Sequence, residues 1–256
     1  MSSPTWTPSR RAWPAPGPRD DTGSRTAERW DPRATLLLLG AGYVVVSGGA
    51  ALVLLRAPWR RPVRHGAEQA DHVAEIVGSR AFRRSRLALA VAALGLYAVT
   101  LNLVPLLTEL GFGYQDAALA FGLVGAGQVL GRLVFVPLSG LGTPRSRTVT
   151  QVSLSAGSIG LLAAVPGPPQ LVTASAVLCG AVRGAHTLSV AKVVSDRWGT
   201  ESYGTLLGRF HGVVAVAMAI GPVVGTAAAL ALDSYRLAAL ALAALGVSAI
   251  AVASRS

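Results

Sequence analysis

Three arginines lie inside long apolar stretches of the sequence, where a charged side chain is costly and by default indicates function. They are Arg132, Arg183 and Arg209. Arginine presents a planar fork of N–H donors that suits a carboxylate, and a histidine titrates near physiological pH. On a helix, Arg183 and His186 share a face with Cys179. This pair is therefore the candidate contact for a substrate or a coupling ion, and a purely structural polar contact is the alternative.

The stretch GAGQVLGR, residues 125–132, has the glycine content of a phosphate-binding loop but not its spacing. A dinucleotide fingerprint needs G-x-G-x-x-G between a strand and a helix, whereas these glycines follow G-x-G-x-x-x-G inside one apolar run. At helical spacing Gln128 and Arg132 share one face, and Gly127 and Gly131 form a stripe on which another helix can pack closely. Gln128 is therefore a candidate solute contact, and the two glycines are predicted to be packing residues.

Arg132 and Arg209 lie toward the ends of their apolar runs, each in a Leu-Gly-Arg triplet that weakly suggests an internal repeat. We predict that they reach the surface or pair with Asp196 and Glu201 as gate residues; contact with an anion is the alternative. His211, close to Arg209, is a second titrating candidate at this gate.

Asn102 is a further candidate ligand contact, whereas the polar stripe Gln151, Ser155 and Ser158 favours hydrogen bonds between helices. Cys179 is the one cysteine of the chain, which excludes a disulfide framework and a thiolate metal site. The sequence has no metal-ligand spacing and no nucleophile with a base, so no metal, cofactor or enzymatic activity is predicted.

The elements that must position these residues follow from a composition that is 52% hydrophobic and only 14% charged, as in membrane proteins. Backbone in lipid must satisfy its own hydrogen bonds, and the alternation of a barrel strand is absent, so we predict an all-α polytopic membrane helix bundle. About seven apolar runs have the length of roughly 20 residues that crosses a bilayer. They are residues 34–55, 87–107, 116–139, 147–166, 170–192, 204–231 and 235–253.

The formal net charge of +11 is spread between the apolar runs, which indicates membrane topology rather than nucleic-acid binding. The segment 56–86 carries eight arginines against three acids, and this predicts a basic cytoplasmic loop. The C-terminus is then cytoplasmic in a multi-pass protein of the plasma membrane. Residues 1–33, rich in Pro, Ser and Arg, are predicted to be a disordered tail.

Three stretches carry a resemblance to a known family: RWDPRATLLLLGAG, GQVLGRLVFVPLSGLGTPRSR and VSDRWGTESYGTLLGRFHGVVAVAMAIGPVVGTAAAL. They resemble the sixth helix, the eighth helix with its short basic loop, and the eleventh helix of a major facilitator superfamily transporter. The resemblance implies that 34–55 is the sixth helix, that 56–86 is the central loop, and that 87–253 is a six-helix C-terminal half with inverted three-helix repeats. Within the superfamily it is nearest to monocarboxylate and oxalate/formate carriers.

The resemblance implies secondary transport of a small solute by alternating access between two six-helix halves, within the lipid bilayer. The chain would then be a fragment that lacks its N-terminal half. No carboxylate falls at mid-membrane while arginine and histidine do, which favours an organic anion. A multidrug exporter of the same superfamily and a truncated, non-transporting membrane protein are the alternatives.

Overall fold

The computed structural model describes residues 32–56, 67–164 and 167–256, in two compact units that divide after Val63. The described part of the first unit is a single helix, α1, Pro32–Arg56, which contains the apolar stretch Gly40–Val53. The predicted tail lies outside the described residues, except for residues 32 and 33, which begin α1.

The described residues of the second unit form eight helices and no strand, which confirms the predicted all-α class. By length and composition α3, α5, α7, α8 and α9 can each cross a membrane, whereas α6 is too rich in polar residues to qualify with them. The helices are α2 Ala67–Gly78, α3 Arg80–Leu101, α4 Leu103–Glu109, α5 Tyr114–Leu138, α6 Pro144–Ala164, α7 Pro169–Trp198, α8 Tyr203–Leu232 and α9 Tyr235–Ser254.

The predicted loop 56–86 is partly helical, because it contains α2 and the first turns of α3. Helix α2 is amphipathic: Val73 is buried against α3 and α8, while Glu68 and Glu75 face outward. Ser79 separates the two helices, and its hydroxyl accepts a hydrogen bond from the Phe82 N–H at 3.2 Å, an N-cap that starts α3. The segment was predicted to be a loop because it is rich in charged residues, and the helical spacing of its few apolar residues was overlooked.

The predicted span 87–107 is interrupted at Asn102, which ends α3 and precedes α4. Pro105 explains the break, because it has no N–H to donate to Leu101 and its ring clashes with that carbonyl. The Asn102 amide donates to the Ala98 carbonyl at 2.8 Å and so satisfies part of the interrupted helix end.

The three most extensive helix contacts join α5 with α7, α3 with α8, and α6 with α9. If α3 is taken as equivalent to α7, α5 to α8 and α6 to α9, each helix can be replaced by its equivalent and the same three contacting pairs result. This is the pairing expected of two three-helix repeats, and because each repeat crosses the unit three times, the second repeat starts at the opposite end from the first.

Glycines allow α5 and α7 to touch backbone to backbone. A Cβ added to Gly127 or Gly131 would overlap the carbonyl oxygens of Val177 or Ala181, and one added to Gly180 or Gly184 would overlap backbone of α5. The predicted packing role of the glycine stripe is thereby confirmed.

The equivalent contact joins α8 to α3 through Gly221 and Gly225; a Cβ on Gly225 would lie 2.9 Å from the Ala98 carbonyl oxygen. Gly208, in the second Leu-Gly-Arg triplet, meets no atom within 4 Å. The triplets are therefore not equivalent positions of a repeat; the glycine pairs 127/131 and 221/225 are.

Candidate functional site

Arg183 occupies the middle of α7, a 30-residue helix, and so lies about 21 Å from either end at 1.5 Å per residue. Its side chain reaches across to α3. The guanidinium carbon lies 3.9 Å from the centroid of the Tyr97 ring, and a terminal nitrogen donates to the Thr100 hydroxyl at 3.0 Å. Thr100 is fully buried and donates in turn to the Leu96 carbonyl at 2.6 Å.

The pair Arg183 and His186 contains most of the unsatisfied polar atoms in the described structure. Arg183 Nε is buried without a hydrogen-bond partner, and so are both ring nitrogens of the fully buried His186, one turn along α7. The fourth such atom is Arg147 Nε. Each unsatisfied buried group costs about 1–3 kcal/mol, so the three nitrogens of Arg183 and His186 are a cost that the described contacts do not offset.

An apolar cluster lies on each side of this pair along α7. Residues of α7 up to Val182 belong to one cluster, and residues from Val190 onward belong to the other. Among the described residues, the two ion pairs both involve Asp196 at the end of α7, so Arg183 has no carboxylate partner there. A cationic fork with a free donor and no carboxylate partner among the described residues can bind an anion.

Asn102 joins α3 to α8 rather than pointing to open space. Its amide nitrogen donates to the Pro222 carbonyl at 3.0 Å, and its amide oxygen accepts from the Thr226 hydroxyl at 3.0 Å. Both ends of the amide are therefore used between helices, and a structural role fits this residue better than the predicted ligand contact.

In the polar stripe of α6, Gln151 links helices as predicted, whereas Ser155 and Ser158 form hydrogen bonds within their own helix. Gln151 donates to the Val182 carbonyl at 3.2 Å and accepts from the Ser189 hydroxyl at 3.2 Å, both on α7. Ser155 and Ser158 donate to carbonyls of their own helix.

Gln128 and Arg132 lie on a face of α5 that the described residues leave open. Gln128 is half-buried and Arg132 is exposed, as is Gly125 on the same face. The neighbouring stripe of α5 carries the buried Gly127 and Gly131 against α7, and the Gln128 backbone itself packs against Gly184 of α7. The Arg183 side chain contacts Tyr97 and Thr100 of α3, and no hydrogen bond joins it to Gln128 or Arg132.

The predicted pairing of Arg132 and Arg209 with acids of the α7–α8 turn is not found. Asp196 instead pairs with Arg147 at 2.6 Å and with Lys192 at 2.9 Å. Arg209 is exposed, and its carbonyl accepts from Arg86 at 3.4 Å. The other two predicted gate residues lie nearby in the chain: Glu201 is exposed in the turn before α8, and His211 is half-buried on it.

Residues that the sequence did not single out hold the end of the unit at which α3, α6 and α8 begin, here called the basic end. Phe82, Trp198 and Phe210 form an aromatic cluster with ring centroids 5.0–6.2 Å apart, joining α3, α7 and α8. Arg197 donates to the Ser85 hydroxyl at 3.1 Å. At the opposite end Glu109 accepts from the Ser234 hydroxyl and the Tyr235 N–H, both at 2.5 Å, and so caps α9.

Five helices of membrane-crossing length, packed closely through glycine contacts, define a polytopic membrane protein. A sequence profile of the Major Facilitator Superfamily matches residues 86–255, more than half of the chain, and the chain belongs to this superfamily. No curated protein matches the chain significantly. Members of the superfamily are membrane transporters, which agrees with the predicted transport function and multi-pass membrane location.

Proposed function

We propose that this transporter carries a small organic anion by alternating access and that Arg183 is the residue that contacts the anion. The observation behind this proposal is the buried, unpartnered Nε of Arg183 beside the two unpartnered nitrogens of His186. The Tyr97 ring and the Thr100 hydroxyl hold one edge of the guanidinium, which leaves the Nε edge for a carboxylate. His186 is the proposed coupling residue, because it is the titratable side chain one turn from the anion.

A substrate with one or two carboxylates, as in the monocarboxylate and oxalate/formate carriers, suits a single fork of donors. In this proposal α3 to α9 form the six spans of the C-terminal half, with the short α4 continuing the span of α3, and a second six-helix half covers the open faces of α5 and α8. Gln128 and Arg132 on α5 are exposed or half-buried, and Gly208 and Gly212 on α8 meet nothing within 4 Å, which is consistent with a partner body there. Arg132 and Arg209 then serve as gate residues at the basic end.

The test compares Arg183→Gln and Arg183→Lys with the wild type in the complete carrier, with both halves present. It measures binding of lactate, formate and oxalate by calorimetry and their uptake into proteoliposomes. Both variants should bind the preferred anion at least ten-fold more weakly, because a charge-assisted hydrogen bond contributes about 1.5–3 kcal/mol and lysine lacks the fork. Arg145→Gln, which removes an exposed arginine without a proposed role in the site or the gate, should retain the affinity.

Unchanged anion affinity in Arg183→Gln would remove the proposed role. Binding of a lipophilic cation such as tetraphenylphosphonium is measured in the same way, for comparison with the carboxylates. Binding of this cation in preference to any carboxylate would favour the multidrug exporter instead.

A further inference from the structure

Helices α5 and α6 are consecutive in the chain, yet they hardly touch each other, because each packs on α7. Between them lies a groove of about 510 Å³, open on one side and floored by α7 at the basic end. That volume is within the range of about 300–1,000 Å³ typical of small-molecule sites. The equivalent helices of the second repeat, α8 and α9, are in contact with each other, so the groove is specific to the first repeat.

The walls of the groove are apolar. Leu130, Val134 and Leu138 of α5 face Leu154 of α6, and each of the four residues is at least half exposed. The polar side chains on the floor, Gln151 and Ser189, are hydrogen-bonded to each other and to α7 carbonyls. A bound molecule therefore need not supply hydrogen-bond partners for them. The groove therefore suits a hydrocarbon chain rather than a polar solute.

The mouth of the groove carries an unbalanced positive charge. Arg147 lines the mouth and shares the carboxylate of Asp196 with Lys192, so two cations face one acid. Arg147 also retains a buried Nε without a partner. An apolar slot that ends at a net positive cluster near the membrane surface matches a lipid whose headgroup is an anion.

We propose that this groove is a binding site for one anionic phospholipid, with an acyl chain between α5 and α6 and its phosphate at Arg147 and Lys192. An acyl chain that enters from the bilayer gains little from the hydrophobic effect, because it leaves surroundings that are already apolar. The headgroup charge therefore determines which lipid is retained. This inference does not depend on the transported solute, since it concerns a different surface of the unit.

The test uses native mass spectrometry of the purified chain in detergent, with phosphatidylglycerol and phosphatidylcholine of identical acyl chains. The wild type should retain one phosphatidylglycerol in preference to phosphatidylcholine. Lys192→Gln should weaken that retention about five-fold, as expected for one basic residue near the headgroups. Arg80→Gln, which removes a charge at the same end on α3, should leave it unchanged.

Leu154→Trp should fill the groove and abolish lipid retention. Leu237→Trp on α9 is the matched control, because both leucines are 50% exposed and only Leu154 lines the groove. Equal retention of the two lipids, or retention that survives Leu154→Trp, would overturn the proposal. So would a lipid-free dimer that Leu154→Trp disrupts, since the occupant would then be a second copy of the chain.

Discussion

Arg183 and His186 lie one turn apart but are held very differently. Arg183 is fixed by a ring stacked on its guanidinium and by a threonine hydroxyl, both from α3. His186 is fully buried and has no hydrogen-bond partner at either ring nitrogen. A side chain that contributes no bond to the fold is the better reporter of function, because its replacement need not weaken the structure.

Replacing His186 with leucine should leave the melting temperature unchanged or raise it, since an unsatisfied buried polar group costs about 1–3 kcal/mol. Uptake into proteoliposomes should fall at least ten-fold if His186 is the coupling residue. Gln151→Leu is the contrasting variant: it removes satisfied bonds to α7 and should lower the melting temperature. A large loss of stability in His186→Leu with normal uptake would show a structural histidine.

The types and helical spacing of Arg183 and His186 were sufficient to single them out from the sequence. Their partners were not predictable, because nothing in the spacing of α7 states that Tyr97 and Thr100 of α3 face it. The gate illustrates the same limit. Asp196 was predicted to pair with Arg132 or Arg209, but the packing of α6 on α7 brings Arg147 within 2.6 Å.

At the scale of elements, glycine determines how closely the helices approach. The α5–α7 contact has two glycines four residues apart on each helix, and the α3–α8 contact has one such pair on α8; a methyl group at these positions would strike the facing helix. Backbone cannot move aside as a flexible side chain can, so these contacts tolerate no enlargement. The four-residue spacing is visible in the sequence, which is why the packing role of Gly127 and Gly131 could be predicted.

Gly131→Ala should destabilise the protein by about 1–3 kcal/mol, the usual cost of overpacking a filled interface. Gly125→Ala is its control on the same helix, because an added Cβ there meets nothing within 4 Å. Thermal unfolding followed by circular dichroism would compare the two. An equal melting temperature for both variants would contradict the backbone contact between α5 and α7.

Other elements were harder to predict. The break at Asn102 was missed although Pro105 stands in the sequence, because the apolar run continues across it for the full length of a span. Helix α2 was missed because three acids and several arginines dominate its segment, while its buried contribution reduces largely to Val73 and its neighbours. Both misses concern short helices whose stability comes from tertiary contacts rather than from local pattern.

At the scale of the whole molecule, the two ends of the second unit differ in charge. The basic end carries Arg83, Arg84, Arg145, Arg147 and Arg197, whereas Glu109, Asp116 and Asp233 lie toward the opposite end. Such asymmetry predicts that the basic end faces the cytoplasm.

The single cysteine makes this orientation directly measurable. In a Cys179→Ala background, a cysteine at Tyr114, which is 72% exposed at the opposite end, should react with a membrane-impermeant maleimide in intact cells. A cysteine at Leu141, 64% exposed at the basic end, should react only after the cells are opened. The reverse pattern would place the basic end outside.

The glycine contacts also affect how the second unit can deform. Two helices that touch backbone to backbone have little room to shift against each other. We therefore expect α5 with α7, and α3 with α8, to move as two closely packed helix pairs. The two helix pairs meet where α7 faces α3. Arg183 crosses that contact through its bond to Thr100, so we expect a solute that competes for its guanidinium to change how tightly the two pairs are held together.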